Sequence, residues 1–196
     1  MIVLASASPR RAELLRQIGV AFEVQSADID ESVLEGESAG DYVCRLALEK
    51  ARTVYALRNP GELVLAADTA VVLDEKILGK PVDLAEWRQM LERLSGATHE
   101  VMTGFALVSG ARHEVQRVIS QVRFASLSAS VIAAYMATNE GLDKAGGYGI
   151  QGVGAILVEH MSGSYSNVVG LPLFETAEML ESFGYRVPAE GGVSAT

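Results

Sequence analysis

The chain has 196 residues, of which 49% are hydrophobic and 21% are charged, a composition typical of a soluble globular protein of one domain. Its formal net charge of −9 argues against broad nucleic-acid binding, and no run approaches the roughly 20 apolar residues of a membrane helix. Because Cys44 is the only cysteine, a disulfide framework is excluded and a reducing, cytoplasmic location is expected.

The first segment has the layout of an anion site. A short apolar strand, Ile2–Ala5, leads to Ser8, which can cap a helix whose first position is Pro9. Arg10 and Arg11 lie in the first turn of this helix, where the helix dipole disfavours cations. A bound polyanion would explain two arginines at this position. The alternative is a solvated helix start with both side chains in water.

An acidic loop at 26–32 and a helix that starts after Ser38 follow in the chain. Two interpretations of the loop are open: its carboxylates hold a metal ion, or it is solvated. Lys50 lies in the middle of the apolar stripe of the helix, so it is the one charge aimed inward. It either extends to the rim of the apolar face or reaches an anion.

Residues 63–67 form a continuous apolar run, typical of a strand buried on both faces. The run is predicted to end at Asp68 and Thr69. A carboxylate there is costly unless it is paired, coordinates a metal or takes part in chemistry. A predicted hairpin at 70–78 then places Lys80 on a loop next to a proline.

Helix starts and hairpins account for much of the remaining chain. Asp83 with Glu86 resembles a capping box, and Ser128 or Ser130 is predicted to begin a further helix. Two strand-like runs between these helices predict an antiparallel hairpin. His99 and His113 flank the runs without the spacing of a metal pair, so both are predicted to be ordinary surface residues.

Residues 143–152 form the most glycine-dense segment. Gly147, Gly149 and Gly152 match the pattern Gly-x-Gly-x-x-Gly, but the dinucleotide-binding fingerprint needs a strand before it and a helix after it. A strand at 154–158 is predicted to follow instead. We therefore reject a dinucleotide-binding fold and expect a loop whose backbone closely approaches a ligand.

Several motifs occur in one order along nearly the whole chain. They are Ser-x-Ser-Pro-Arg-Arg at 6–11, Glu-Lys-Ala at 49–51, Ala-Asp-Thr at 67–69, Gly-Lys-Pro at 79–81, Asp-Lys-Ala-Gly-x-Tyr-Gly-Ile-Gln-Gly at 143–152 and Val-Gly-Leu-Pro at 169–172. With these motifs the chain resembles the Maf family of nucleoside triphosphate pyrophosphatases.

The resemblance implies the architecture and the reaction. The expected fold is α/β, with a central mixed sheet flanked by helices and two lobes with a substrate cleft between them. We expect a single domain at 1–188 and a flexible tail at 189–196. Family members are cytoplasmic, use a divalent cation (magnesium or manganese) and cleave a nucleoside triphosphate between the α and β phosphates. A homodimer is also implied, and neither nucleic acid nor a membrane is expected as a partner.

The resemblance also implies roles for named residues. Asp68 corresponds to the catalytic carboxylate, and Glu31, with Asp68 itself, would help to hold the metal. The positions on the phosphate side are Ser8, Arg11, Lys50 and Lys80. Whether Asp68 is mainly a base or a metal ligand stays open.

Three further positions bear on the nucleotide base. In the branch of the family that acts on dTTP and UTP, specificity is associated with the residues found here as Arg10, Thr69 and Gln151. The amide of Gln151 offers both a donor and an acceptor to a uracil-type edge. The alternatives are the sister branch that prefers 7-methyl-GTP, and a nucleotide-binding regulator of cell division or septum formation.

Overall fold

The computed structural model of the chain describes residues 2–187. The predicted tail at 189–196 and the first and last residues of the predicted domain at 1–188 lie outside the described residues. The strands are β1 Ile2–Leu4, β2 Phe22–Val24, β3 Leu63–Leu73, β4 Lys76–Leu78, β5 Thr98–Ser109, β6 Arg112–Phe124 and β7 Val158–Ser162. The helices are α1 Pro9–Gln17, α2 Ala39–Tyr55, α3 Leu84–Leu94, α4 Ala129–Met136, α5 Tyr165–Val169 and α6 Leu173–Ser182. Within the described range, no helix combines the length and the apolar character needed to cross a membrane.

The seven strands form a mixed sheet in the order β2-β1-β3-β5-β6-β7, with β4 paired to β3. β1 pairs in parallel with both β2 and β3, whereas β4 on β3 and β7 on β6 are antiparallel. Parallel neighbouring strands need a crossover connection. In the chain, α1 connects β1 to β2 and α2 connects β2 to β3. The predicted α/β fold with a mixed sheet and helices is confirmed.

The described residues fall into two compact units. The first contains the residues up to Asp68, Thr103–Val118 and the residues from Gly170 onward, and the second contains Thr69–Met102 and Ile119–Val169. Each unit has its own apolar core. The core of the first includes Val3, Ala47, Ala51, Val54, Val64 and Ala106, and that of the second includes Trp87, Leu91, Val101, Phe124, Tyr135 and Tyr148.

The predicted helix starts after the first helix are present and capped. Ser38, Asp83 and Ser128 each accept a hydrogen bond from the backbone N–H three residues later, at 3.2, 2.8 and 3.3 Å. Such a cap satisfies an N–H that has no partner within the helix. It depends only on residues three apart in the chain, which explains why the sequence pattern located these starts.

Two predicted strand boundaries are wrong. β3 does not end at Asp68 but continues without a break to Leu73, so Asp68 lies in the middle of an 11-residue strand. The strand predicted at 154–158 is a 3-10 turn, Val153–Leu157, and β7 begins only at Val158. In the first case the apolar run ends at a charged residue but the strand continues, because a paired carboxylate can lie inside a buried strand.

The prediction that His99 is a surface residue is also wrong, whereas His113 is exposed as expected. His99 lies on β5 with 1% of its surface exposed, and its Nε2 atom is 2.8 Å from the Tyr148 hydroxyl. Its ring meets those of Phe124 and Tyr148 edge to face, at centroid distances of 5.1 and 5.4 Å. Burial lowers the pKa of His99 to about 4, so the ring is neutral at physiological pH.

The buried His99 ring predicts a loss of stability in acid. The unfolded chain takes up the proton near pH 6.5, whereas the folded protein resists it until about pH 4. The free energy of unfolding should therefore fall by about 3 kcal/mol between these pH values, at about 1.4 kcal/mol per pH unit. Urea unfolding at several pH values will measure the slope. His99→Gln should flatten it and His113→Gln should leave it unchanged; equal slopes in all three proteins would contradict the assignment.

Candidate active site

Lys50 joins two carboxylates in the first unit. Its Nζ atom lies 2.6 Å from Oδ1 of Asp68 and 2.6 Å from Oε1 of Glu31. Lys50 and Asp68 are both 8% exposed, whereas the Glu31 side chain is 52% exposed. α2 presents Lys50 from its buried face and β3 presents Asp68, so a charged pair lies at the junction of a helix and a strand. Each buried charge offsets the desolvation of the other.

The loop that carries Glu31 is anchored to α2. The Tyr42 hydroxyl donates a hydrogen bond to the Glu31 carbonyl oxygen at 3.0 Å. Partial burial, together with the charges of the Asp68 and Glu31 carboxylates, raises the pKa of Tyr42 to about 12, so the phenol keeps its proton and stays a donor. The neighbouring Asp30 accepts hydrogen bonds from the backbone N–H and the hydroxyl of Ser32. Of the acidic loop, Glu31 is thus the residue that reaches Lys50.

Arg11 is fixed near the same carboxylates by two hydrogen bonds. Its Nε donates to the Gly170 carbonyl oxygen at 2.8 Å, and one terminal nitrogen donates to Ser6 Oγ at 3.2 Å. Burial lowers the pKa of Arg11, while the charges of Asp68 and Glu31 oppose that shift. Sequence reasoning missed Ser6 and Gly170 as supports. Ser6 lies in the motif at 6–11 and Gly170 in the motif at 169–172, and these motifs are the only sequence signal that could have found them.

The start of α1 differs from the prediction in one respect. Ser8 occupies the capping position before Pro9, but among the described contacts its hydroxyl makes no capping hydrogen bond. The Ser8 backbone N–H instead donates to Ser6 Oγ at 3.2 Å. Arg10 is half-exposed in the first turn, and its charge lowers the pKa of the neighbouring Arg11.

The other predicted site residues belong to the second unit. Thr69 follows Asp68 on β3, and successive side chains of a strand point to opposite faces. Lys80 is exposed on the loop after β4, and Gln151 is exposed between the two 3-10 turns. These two loops are joined, because the Gly146 N–H donates to the Gly79 carbonyl oxygen at 3.0 Å. The structure thus links the segments of Lys80 and Gln151, which lie about 70 residues apart in the chain.

The two carboxylates around Lys50 are a chemically suitable donor set for magnesium or manganese. These ions prefer oxygen ligands, and magnesium is typically held by one or two carboxylates together with substrate phosphates and water. Glu31 and Asp68 already share one cation, the Lys50 ammonium group. Within residues 2–187, no group of three or more acidic, histidine or cysteine side chains has the arrangement of a self-sufficient metal site. Glu31 and Asp68 are thus the two carboxylates that this site could offer to such a cation.

Comparison with known proteins places this geometry in context. The chain matches the model of the family described as "Maf: Maf-like protein" over residues 1–183. It is 52% identical over 186 residues to the dTTP/UTP pyrophosphatase of Symbiobacterium thermophilum, covering 95% of each chain. It is 55% identical over 198 residues to the dTTP/UTP pyrophosphatase of an Anaeromyxobacter species, with 97% of this chain and 94% of the relative covered. The protein of the same name from Methylobacillus flagellatus is 54% identical over 188 residues, at 95% and 94% coverage.

Proposed function

The chain belongs to the Maf family, and from this premise we propose that it is a nucleoside triphosphate pyrophosphatase that hydrolyses dTTP and UTP. The products are the nucleoside monophosphate and pyrophosphate. The names of relatives that share 52 to 55% of their residues over nearly the full length support the substrate assignment. The single observation that carries the chemistry is the buried Lys50–Asp68 pair, with Glu31 on the same ammonium group.

In the proposed mechanism, the cationic side chains bind the triphosphate. Lys50 and Arg11 stabilise the negative charge that develops on the phosphates, and Ser8 and Lys80 contribute further phosphate contacts. Lys50 is ion-paired with Asp68 and Glu31, so phosphate binding competes with these carboxylates for its ammonium group. A magnesium or manganese ion held by Glu31 and Asp68 would, when bound, neutralise phosphate charge.

Asp68 accepts the proton in this mechanism. A water molecule attacks the α-phosphorus and Asp68 takes its proton, while the bond between that phosphorus and the oxygen that bridges to the β phosphate breaks. The electron pair of the broken bond leaves on the pyrophosphate. Asp68 is buried and Glu31 is half-exposed, so we assign the role of base to Asp68. Bulk water competes less with the attacking water for hydrogen bonds to a buried carboxylate.

Base selection is assigned to Arg10, Thr69 and Gln151. The exposed amide of Gln151 can donate to a carbonyl oxygen and accept from the N3–H of uracil or thymine. The residues at these three positions are those associated with the dTTP and UTP branch rather than with the 7-methyl-GTP branch. The cytoplasmic location and the homodimer implied by the family stay predictions.

A substrate panel with pyrophosphate detection tests the proposal. Purified protein with magnesium or manganese should release pyrophosphate from dTTP and UTP, and chelation of the metal should stop the release. Faster turnover of 7-methyl-GTP than of dTTP and UTP would move the chain to the sister branch. Binding of a triphosphate without cleavage of any would favour the nucleotide-binding regulator instead.

A further inference from the structure

The backbone at the end of the glycine-rich segment and just after it binds a carboxylate of the protein itself. Glu140 lies just before this segment, after α4, and is half-buried. Its Oε2 atom accepts a hydrogen bond from the Val153 N–H at 2.7 Å, and its Oε1 atom accepts one from the Gly154 N–H at 2.9 Å. Two successive backbone N–H groups thus bind one carboxylate, an arrangement that favours anions.

A buried tyrosine connects the same carboxylate to the other side of the segment. The Tyr135 hydroxyl donates to Glu140 Oε1 at 3.3 Å and accepts from the Gly149 N–H at 3.1 Å. Burial raises the pKa of Tyr135 well above its usual value, and the Glu140 charge adds to the shift, so the hydroxyl keeps the proton that it donates. Glu140 is therefore linked to the chain both before and after Gln151.

The space around Glu140 explains one of the glycines. A Cβ atom on Gly152 would lie 2.1 Å from Glu140 Oε2 and 2.6 Å from its Cδ. The backbone of Gly152 has a negative φ of −113°, so a left-handed conformation is not the reason for the glycine. The sequence predicts that this backbone closely approaches a ligand; at Gly152 the group that it approaches is the Glu140 carboxylate.

We infer that Glu140 is a positioning residue for base selection: it fixes the backbone on both sides of Gln151 and so sets where the Gln151 amide meets the nucleotide base. The inference rests on the proposed function, in which Gln151 contacts the base. Gln151 itself is exposed and extends from a loop, so its placement depends on how firmly that loop is fixed. Glu140 does not touch the reacting phosphates in this assignment, so its loss should change selectivity more than the chemical step.

Steady-state kinetics with UTP and CTP, which differ at the base edge, test the inference. Glu140→Gln keeps the size of the side chain but places an NH₂ group against one of the two N–H donors. We expect the ratio of kcat/KM for UTP to that for CTP to fall about tenfold, mainly through KM, as expected for an interaction that orients the bound base. Gln151→Ala should lower the same ratio, and the double variant should fall no further than Gln151→Ala. Glu92→Gln, an exposed glutamate on α3, is the matched control and should change nothing.

Gly152→Ala tests the same contact by changing the backbone residue that faces the Glu140 carboxylate. The added methyl group would displace the Glu140 carboxylate, so the selectivity ratio should fall as in Glu140→Gln. This variant also covers the case in which Glu140→Gln does not fold. A wild-type ratio in both variants, or a double variant whose loss is the product of the two single losses, would overturn the inference.

Amide hydrogen exchange on the full chain provides a readout that does not need turnover. Exchange in residues 149–154 should be about tenfold faster in Glu140→Gln than in the wild-type protein and unchanged elsewhere, because two N–H groups lose their anionic acceptor. Unchanged exchange in this segment would overturn the inference even if the enzyme is active. If the wild-type protein cleaves no triphosphate, the proposed function fails, while the exchange result still decides whether Glu140 fixes the segment.

Discussion

Replacement of Asp68 by asparagine is expected to lower kcat for UTP about a thousandfold and to leave nucleotide binding largely intact. The amide of asparagine has the shape of the carboxylate but cannot accept the proton of the attacking water. General-base catalysis typically contributes about 10²–10⁴-fold, which sets the size of the expected loss. The fold should tolerate the change, because Lys50 keeps its 2.6 Å ion pair with Glu31.

Three measurements check the Asp68 prediction. Pyrophosphate release gives kcat, titration calorimetry with a non-hydrolysable UTP analogue gives the affinity, and urea unfolding gives the stability. The free energy of unfolding should change by no more than about 1 kcal/mol. Asp74→Asn, in the exposed turn between β3 and β4, is the matched control and should behave as wild type. Unchanged turnover in Asp68→Asn would remove Asp68 from the mechanism.

Replacement of Lys50 by methionine is expected to damage both catalysis and stability. The variant loses a cation that stabilises charge on the phosphates, so kcat/KM should fall about 10²–10³-fold. It also leaves the buried Asp68 carboxylate without the ammonium group at 2.6 Å. Removal of one partner from a buried ion pair typically costs about 3–5 kcal/mol. Because the Arg11 charge also acts on Asp68, we expect a loss of about 2–3 kcal/mol here.

The two substitutions therefore differ in their effect on stability, although they break the same ion pair. Urea unfolding of both variants beside the wild-type protein tests this asymmetry. Lys76→Met, an exposed position on β4, is the matched control for Lys50→Met and should keep wild-type activity and stability. A Lys50→Met protein as stable as the wild type would show that the Asp68 carboxylate does not depend on Lys50 as its counter-ion.

The elements that could be predicted from the sequence depend on neighbours in the chain. The starts of α2, α3 and α4 were found because a capping side chain bonds the N–H three residues later. Lys50 was assigned to the buried side of α2 because helical spacing places every third or fourth residue on one face. The sequence pattern did not identify which anion Lys50 meets, since Glu31 and Asp68 come from other segments.

The errors share a different cause. His99 was expected at the surface, and its burial follows from the packing of Phe124 and Tyr148 around its ring, contacts that span up to 49 residues. β3 was expected to end at Asp68, yet it continues because Lys50 compensates the buried charge. In each case the sequence alone suggests that a polar residue stays in contact with water. In the structure, a partner from a distant segment offsets the cost of burying it.

By itself, the sequence determined the family, the helix starts and the inward direction of Lys50, because the order of short motifs can be read along the chain, and caps and helical periodicity are properties of residues close together in it. Only the tertiary structure decided that Lys50 forms ion pairs with both Glu31 and Asp68. It also decided that Ser6 and Gly170 accept hydrogen bonds from Arg11. The same holds for Glu140, which accepts hydrogen bonds from the backbone next to the glycine-rich segment. Those contacts form only when separate segments pack together, since desolvated charges and N–H groups then take the partners that the fold brings within hydrogen-bond distance.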